Sequence, residues 1–299
     1  ELRNPDVINA GKMTLPVLFG VAAYQLNMFF NTTMIARFDG MVTLLNYVQN
    51  IVIYMVLAFI YSVTAVVYPK LTASFTRGNM ADYKATLAGV LESTAALLVP
   101  ITFGFITVRR PLLELIANYG KITPTDIDRA CTLIVMYSIG ILGVGLKEIL
   151  DRAFYAAKNT MLPAVNGFII MAVNVTLSLV LTRFIGAYGI PLAYSTASLV
   201  GLCVLLALLR RKIGVFAKGL GMTLVKCLVS ALVMAGAVLA VNAGLDAVLV
   251  SDSVLTRLIK LAIPACVGVL VYGVMVLVLR VNAVKPVLAK IKTLVKRGA

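Results

Sequence analysis

Histidine and tryptophan are both missing from the 299 residues, and cysteine occurs only four times. Without histidine, Ser-His and Cys-His nucleophile pairs have no base, so both are excluded. Cys131, Cys203, Cys227 and Cys266 stand singly in apolar stretches with no C-x-x-C spacing, so neither a metal nor a cofactor is expected. Charge is scarce as well: Asp, Glu, Lys and Arg make up 13% of the chain, against about 25% in a soluble domain. An enzyme would have to work through carboxylates or lysines, and few of these fall inside apolar stretches. The chain therefore does not read as an enzyme.

What is abundant is apolar: 61% of the residues are hydrophobic. Eight stretches of this kind recur, at roughly 14 to 36, 44 to 67, 86 to 108, 129 to 149, 161 to 182, 187 to 209, 222 to 243 and 258 to 279. At 1.5 Å per residue each can cross a hydrocarbon core of about 30 Å. The expected fold is an all-α polytopic membrane protein with about eight transmembrane helices. Glu1 to Asp6 are polar and no short apolar region with a small-residue cleavage site comes after them, so no cleavable signal peptide is expected. A start without Met suits a processed product or a fragment.

The net charge of +15 raises the question of nucleic acid, and the placement of the cations answers it. If alternate loops face alternate sides, the amino end, the loops near 68 to 85, 147 to 160 and 210 to 226, and the tail from 280 hold 19 of the 27 Lys and Arg. This asymmetry places both ends in the cytoplasm. The basic excess is a topology signal plus attraction to anionic membrane lipids, and no nucleic-acid partner is expected.

Pro16, Pro100, Pro163, Pro191 and Pro264 lie within or at the ends of spans, which suits a bundle that bends. Between the third and fourth spans, a short amphipathic piece from Pro111 to Asn118 precedes a loop. Thr125 reads there as an N-cap, with Asp126 and Asp128 in the first helical turn. In the tail, Val284, Val287, Leu288, Ile291, Leu294 and Val295 alternate at helical spacing with lysines and an arginine, so an interfacial helix is expected. The linker from Arg210 to Lys218 is a shorter version.

Polar groups at membrane depth are the natural functional candidates, because burying them is costly without a partner or water. In the first span Asn27 and Asn31 are four residues apart, beside Tyr24; in the second, Asn46, Gln49 and Asn50 share a stripe with Tyr47 and Tyr54. In the fifth span Asn174 and Ser178 again stand four apart. Counting along the helices puts Asn31, Asn50 and Asn174 in the same outer half. Two readings stay open: amides that join helices, and a hydrated cavity for sugars and phosphates lined by Tyr24, Asn27, Asn31, Asn46, Tyr47, Gln49, Asn50 and Tyr54. Glu92 lies about 10 Å inside the third span, either snorkelling or facing the bundle interior. Lys147 with Asp151 and Glu148 with Arg152 are i,i+4 pairs at the inner end of the fourth span. Glu92, Glu148 and Arg152 are candidates for a gate.

The runs Leu45-Asn46-Tyr47 to Val67-Tyr68-Pro69-Lys70-Leu71 and Arg152-Ala153-Phe154-Tyr155-Ala156, with Asn159-Thr160 and Pro163 after it, resemble the MurJ/MviN lipid II flippases. These belong to a superfamily that also holds multidrug exporters and polysaccharide-repeat flippases. The resemblance covers essentially the whole chain. It implies a lead-in at 1–13, helices seven to twelve of a carboxyl-terminal lobe at 14–209, a basic linker at 210–221, two extra helices lining a lipid-tail groove at 222–279, and a basic tail at 280–299. It implies an undecaprenyl-linked precursor as substrate, the bacterial cytoplasmic membrane as location, and an amino-terminal lobe as the missing partner, without which this chain cannot flip lipid. Two departures from the family stand out. Asn50 replaces a usual cavity arginine, which weakens diphosphate recognition by this half. The ion-site positions Asn31, Asn174 and Ser178 carry no carboxylate, which makes sodium a poor fit. The other readings are a polysaccharide-repeat flippase, a multidrug and cation antiporter that would need a deep carboxylate such as Glu92, and a non-transporting scaffold.

Overall fold

The computed structural model describes residues 5–117, 123–214, 219–249 and 253–281, and every regular element among them is helical. In chain order these are α1 (Pro5–Ile35), α2 (Met41–Gln49), a π-helical turn (Asn50–Tyr54), α3 (Met55–Thr76), α4 (Met80–Ala117), α5 (Pro124–Ser138), α6 (Ile141–Ala156), α7 (Met161–Ile185), a 3-10 turn (Gly186–Tyr188), α8 (Gly189–Ile213), α9 (Leu220–Val248) and α10 (Val254–Val278). Because α2, the π-turn and α3 run on as one helix, and α5 and α6 form one bent pair, eight long segments result. Each coincides with one apolar stretch, with ends that differ from it by no more than nine residues.

Five helical runs are long and apolar enough to cross a membrane, or six if the bent pair counts as one span. One of the five, Met161–Ile213, contains both α7 and α8, each of 25 residues and so each long enough to cross alone. The basic tail beyond 281 and residues 215–218 of the basic linker lie outside the described residues. Arg210, Arg211 and Lys212 form the last turn of α8, where cations suit the dipole.

Two compact units result, one from residues 1–87 and 132–216, the other from 88–131 and 217–299. In the first unit α7 packs along α8 and α1, and α6 packs between α8 and α3. Lipid offers no hydrophobic reason for helices to associate, so close approach and hydrogen bonds must hold them. Both are present. Tyr83 of α4, fully buried, donates its hydroxyl to the carbonyl of Ala153 in α6 at 2.7 Å. The 42° bend between α5 and α6 carries no proline: it falls at Ser138–Gly140 and is held by Ser195 of α8. The Ser195 hydroxyl donates to the carbonyls of Met136 at 2.6 Å and Tyr137 at 3.2 Å, the groups that a broken helix sets free.

Proline shaped the helices less than its placement suggests. Pro16, Pro69, Pro100, Pro111 and Pro264 all sit inside continuous helices. Pro163 and Pro191 fall in the first turns of α7 and α8, where a missing N–H costs nothing. Pro111 to Ala117 is therefore the end of α4 and not a separate amphipathic piece. The start of α5 also needs correcting. Thr123 caps it, with its hydroxyl accepting from the Asp126 N–H at 3.3 Å while the Asp126 carboxylate accepts from the Thr123 N–H at 3.2 Å. That reciprocal pairing, with Pro124 in the first helical position, is a capping box, and Thr125 lies inside the helix.

In the second unit α9 and α10 pack together and bond to α4. Asn242 donates to the Thr107 carbonyl at 3.1 Å, and Tyr272 to the Ala96 carbonyl at 2.6 Å.

Candidate functional site

The polar groups of the first unit form two arrangements of different character. The first is buried between α1 and α7. Small residues let these helices meet: a methyl added at Gly20 would lie 3.4 Å from the Ala164 Cα, and one added at Gly167 would lie 3.9 Å from the Ala23 methyl. At that separation the side-chain amides one and two turns further along α1 reach α7. The Asn174 Nδ2 donates to the Asn27 Oδ1 at 2.5 Å and to the Asn31 Oδ1 at 2.9 Å, and the Ser178 hydroxyl donates to the Asn174 Oδ1 at 3.4 Å. All four side chains are at most 4% exposed. The stripe continues along α7 to Thr182, which donates to the Ser178 carbonyl at 2.6 Å.

The amides predicted to share a layer are thus only partly together. Asn27, Asn31, Asn174 and Ser178 meet in one buried contact, in which Asn174 serves both asparagine oxygens of α1. Asn50 does not join them; it is exposed, as is Asn46. Gln49 is buried and donates to the Met28 sulfur at 3.2 Å, joining α2 to α1. The physical reason is the period of the helix. Gln49 and Asn50 differ by about 100° around the axis, so one turns inward and the other outward.

The second arrangement is exposed. Tyr47, Tyr54, Tyr61 and Tyr68 recur every seven residues along the α2–α3 helix. At about 3.6 residues per turn this keeps Tyr54, Tyr61 and Tyr68 on one face, whereas Tyr47, before the π-turn, is half-buried with its hydroxyl enclosed and unpartnered among the described residues. Tyr54, Tyr61 and Tyr68 are 43%, 48% and 38% exposed. Tyr24 of α1 is also exposed, while Tyr137 and Tyr194 stack edge to face in the buried layer with ring centroids 5.8 Å apart. The π-turn sits where the row passes Asn50 to Tyr54, and such turns insert one residue and re-aim the side chains beyond them. At the Tyr68 end, Tyr61, Thr64, Ala65 and Tyr68 of α3 and Arg152 of α6 line a cleft of about 360 Å³, within the usual size of a small-molecule site. Tyr61, Thr64, Tyr68 and this cleft were not among the residues singled out from sequence. The signal was the seven-residue interval, which Tyr47 and Tyr54 had already begun.

Arg152 is the cation of the cleft. Its Nη2 meets the Glu148 carboxylate at 3.0 Å, and its guanidinium lies 5.9 Å from the Tyr155 ring centroid. One turn around α6, Lys147 and Asp151 pair at 2.5 Å, more deeply buried, with the second Asp151 oxygen unpartnered among the described residues.

Glu92, the third gate candidate, belongs to the second unit. Its carboxylate lies at the start of α9, where a methyl added at Gly219 would stand 2.5 Å from Oε1. There it meets the positive end of the α9 dipole. Gly219→Ala is expected to push the carboxylate away and cost about 0.3–1 kcal/mol. In a double-mutant cycle measured by unfolding in detergent, that cost should vanish in a Glu92→Gln background.

The described residues contain no cluster of His, Cys, Asp and Glu able to hold a metal ion. The family profile described as lipid II flippase MurJ matches residues 1–260. A probable lipid II flippase MurJ of Vibrio cholerae is 26% identical over 205 residues, covering 68% of this chain and 39% of that protein. The lipid II flippase MurJ of Burkholderia cenocepacia is 27% identical over 241 residues, covering 79% of this chain and 46% of that protein. Among solved structures, a lipid II flippase MurJ in an inward closed conformation superimposes with a TM-score of 0.72 at 22% identity, over 87% of this chain and 52% of that one. This chain spans about half or less of the length of these relatives. With the profile matched over most of its length and the same fold in its structure, the chain belongs to the MurJ lipid II flippase family.

Proposed function

We propose that this chain forms the carboxyl-terminal half of a transporter that turns a lipid-linked peptidoglycan precursor across the bacterial cytoplasmic membrane by alternating access with an amino-terminal half. The observation that carries the reading is the cleft at Tyr61, Tyr68 and Arg152. A cation and phenolic hydroxyls that line one cleft suit a headgroup that is polar at every turn yet travels on a lipid. Family membership supplies the reaction class.

The other parts follow from the same physics. Cations concentrated on one side put both ends of the chain in the cytoplasm, where Arg210, Arg211 and Lys212 at the end of α8 meet anionic headgroups. Leu232 and Leu239 of α9 and Val269, Leu270 and Val274 of α10 are exposed, an apolar surface fit for a prenyl tail. Glu148 and Arg152 form the inner gate. We assign Asn27, Asn31, Asn174 and Ser178 to joining α1 with α7 and not to an ion, because the amide oxygens already accept N–H donors and no carboxylate is present to neutralise a cation. An antiporter would need a deep, free carboxylate, and Glu92 is held at the end of α9.

The test is depletion of the full-length transporter that contains this chain, together with measurement of how much lipid-linked precursor becomes accessible to an enzyme added outside the cell. Outward exposure is expected to fall to background. Unchanged exposure would overturn the reading.

A further inference from the structure

We infer that the tyrosine row on α2–α3 is a stacking track for the saccharide rings of the substrate, and that Arg152 at its end takes the diphosphate. This deepens the function proposed above and rests on it.

Tyr54, Tyr61 and Tyr68, at a constant seven-residue interval, place rings about 10.5 Å apart along one helix face. They leave 38–48% of their surface uncovered. A sugar ring has a face of C–H groups that packs on the electron-rich face of an aromatic ring, and a rim of hydroxyls that needs hydrogen bonds. Tyrosine offers both an apolar face and a polar handle on a stiff side chain. Phenylalanine, leucine or valine in the same places would suffice for lipid contact; Phe59 and Val66, exposed at other positions of this helix, carry no hydroxyl.

The row also has a direction. It ends in the cleft where Arg152 of α6 stands, and the stretch from Tyr54 to Tyr68 carries no cation of its own. Among the described residues the Arg152 guanidinium meets one carboxylate, through Nη2. Its planar fork can turn remaining N–H groups to two phosphate oxygens at once. The ligand class is therefore a saccharide carried on a diphosphate, with the phosphates at Arg152 and the rings running from Tyr61 toward Tyr54 and Tyr24.

The absence of tryptophan supplies the readout, since near-ultraviolet emission from this chain comes from tyrosine. The purified chain in lipid nanodiscs is titrated with three probes: geranyl diphosphate, a geranyl-diphospho-disaccharide, and the disaccharide alone. Tyr61→Ala is expected to weaken the diphospho-disaccharide about tenfold and leave geranyl diphosphate unchanged, while Tyr61→Phe stays within about threefold. Arg152→Gln is expected to weaken both diphosphate probes. If Tyr61→Ala leaves the diphospho-disaccharide unaffected, or weakens all probes alike, the track is overturned while the transport reading stands; if no probe carrying diphosphate binds wild type, both fall.

A second measurement covers the case in which lipid or another helix occupies the row. In the full-length transporter with Cys131, Cys203, Cys227 and Cys266 replaced, Tyr61→Cys should react with a water-soluble maleimide and be protected by the diphospho-disaccharide probe. A cysteine that does not react would place the row against lipid or protein and overturn the proposal.

Discussion

Alanine at Gly140 is expected to lower the thermal midpoint of the detergent-solubilised chain by roughly 5–12 °C, an effect of about 3 kcal/mol for a protein of this size. The added methyl would stand 2.7 Å from the Ser195 Cα and 2.9 Å from its Cβ. A flexible side-chain tip could swing aside, but here the obstacle is the backbone of α8, so the helix itself must move. When it moves, the Ser195 hydroxyl leaves the Met136 and Tyr137 carbonyls that it holds at the bend, and freed acceptors inside a helix bundle are costly. The matched control is Gly236→Ala in α9, where an added methyl meets nothing within 4 Å. That change should be neutral or add up to about 1 kcal/mol, since alanine is the better helix former. Differential scanning of the two variants side by side checks the claim; equal midpoints would show that the bend is not locked by close approach.

Leucine at Asn174 is the second large expectation, about 2–4 kcal/mol of destabilisation at nearly constant side-chain size. The loss removes both N–H donors that serve the Asn27 and Asn31 oxygens, leaving two buried acceptors with nothing to accept. A fully apolar contact should be less costly than a half-satisfied one. Asn27→Leu and Asn31→Leu added to Asn174→Leu are therefore expected to recover part of the stability, and the double-mutant cycles should show strong coupling. Amides lining a wet chamber would behave in the opposite way, because water would serve each orphan and the substitutions would add independently. Unfolding measured in detergent separates these outcomes.

The contrast between these sites shows which parts of the molecule a reader of the sequence could find. The eight long segments were legible because apolar length is a one-dimensional property: α7 begins at Met161, where the apolar stretch does. Depth was legible too, since rise per residue is fixed, and it brought Asn31 and Asn174 to one level. Direction around the axis across two helices was not. Nothing in the spacing of Asn27 and Asn31 says that α7 approaches at Gly20 and Ala23, which is what lets the amides consume one another. The bend at Gly140 escaped notice for a related reason: prolines are visible locally, whereas this break depends on a serine 55 residues further along the chain. The Arg152 to Pro163 stretch, the most specific part of the family resemblance, is in large part a corner. Asn159 caps α7 through the Leu162 N–H at 3.3 Å, and Lys158 adopts a left-handed conformation with φ of 56°, a turn geometry that sequence alone states only indirectly. Tyr61 and Tyr68 were legible in principle and overlooked because tyrosine in a span reads as ordinary apolar bulk.

The closed contact between α1 and α7 also bears on how the chain is made. Asn27 and the Asn174 that serves it are separated by 147 positions. At a synthesis rate of about 5–20 residues per second, roughly 7–30 s pass between the two leaving the ribosome. During that interval α1 carries carboxamides whose eventual counterpart does not yet exist. The pairing that holds α1 to α7 therefore closes late, after α7 has entered the membrane, and until then those amides depend on water or on other segments.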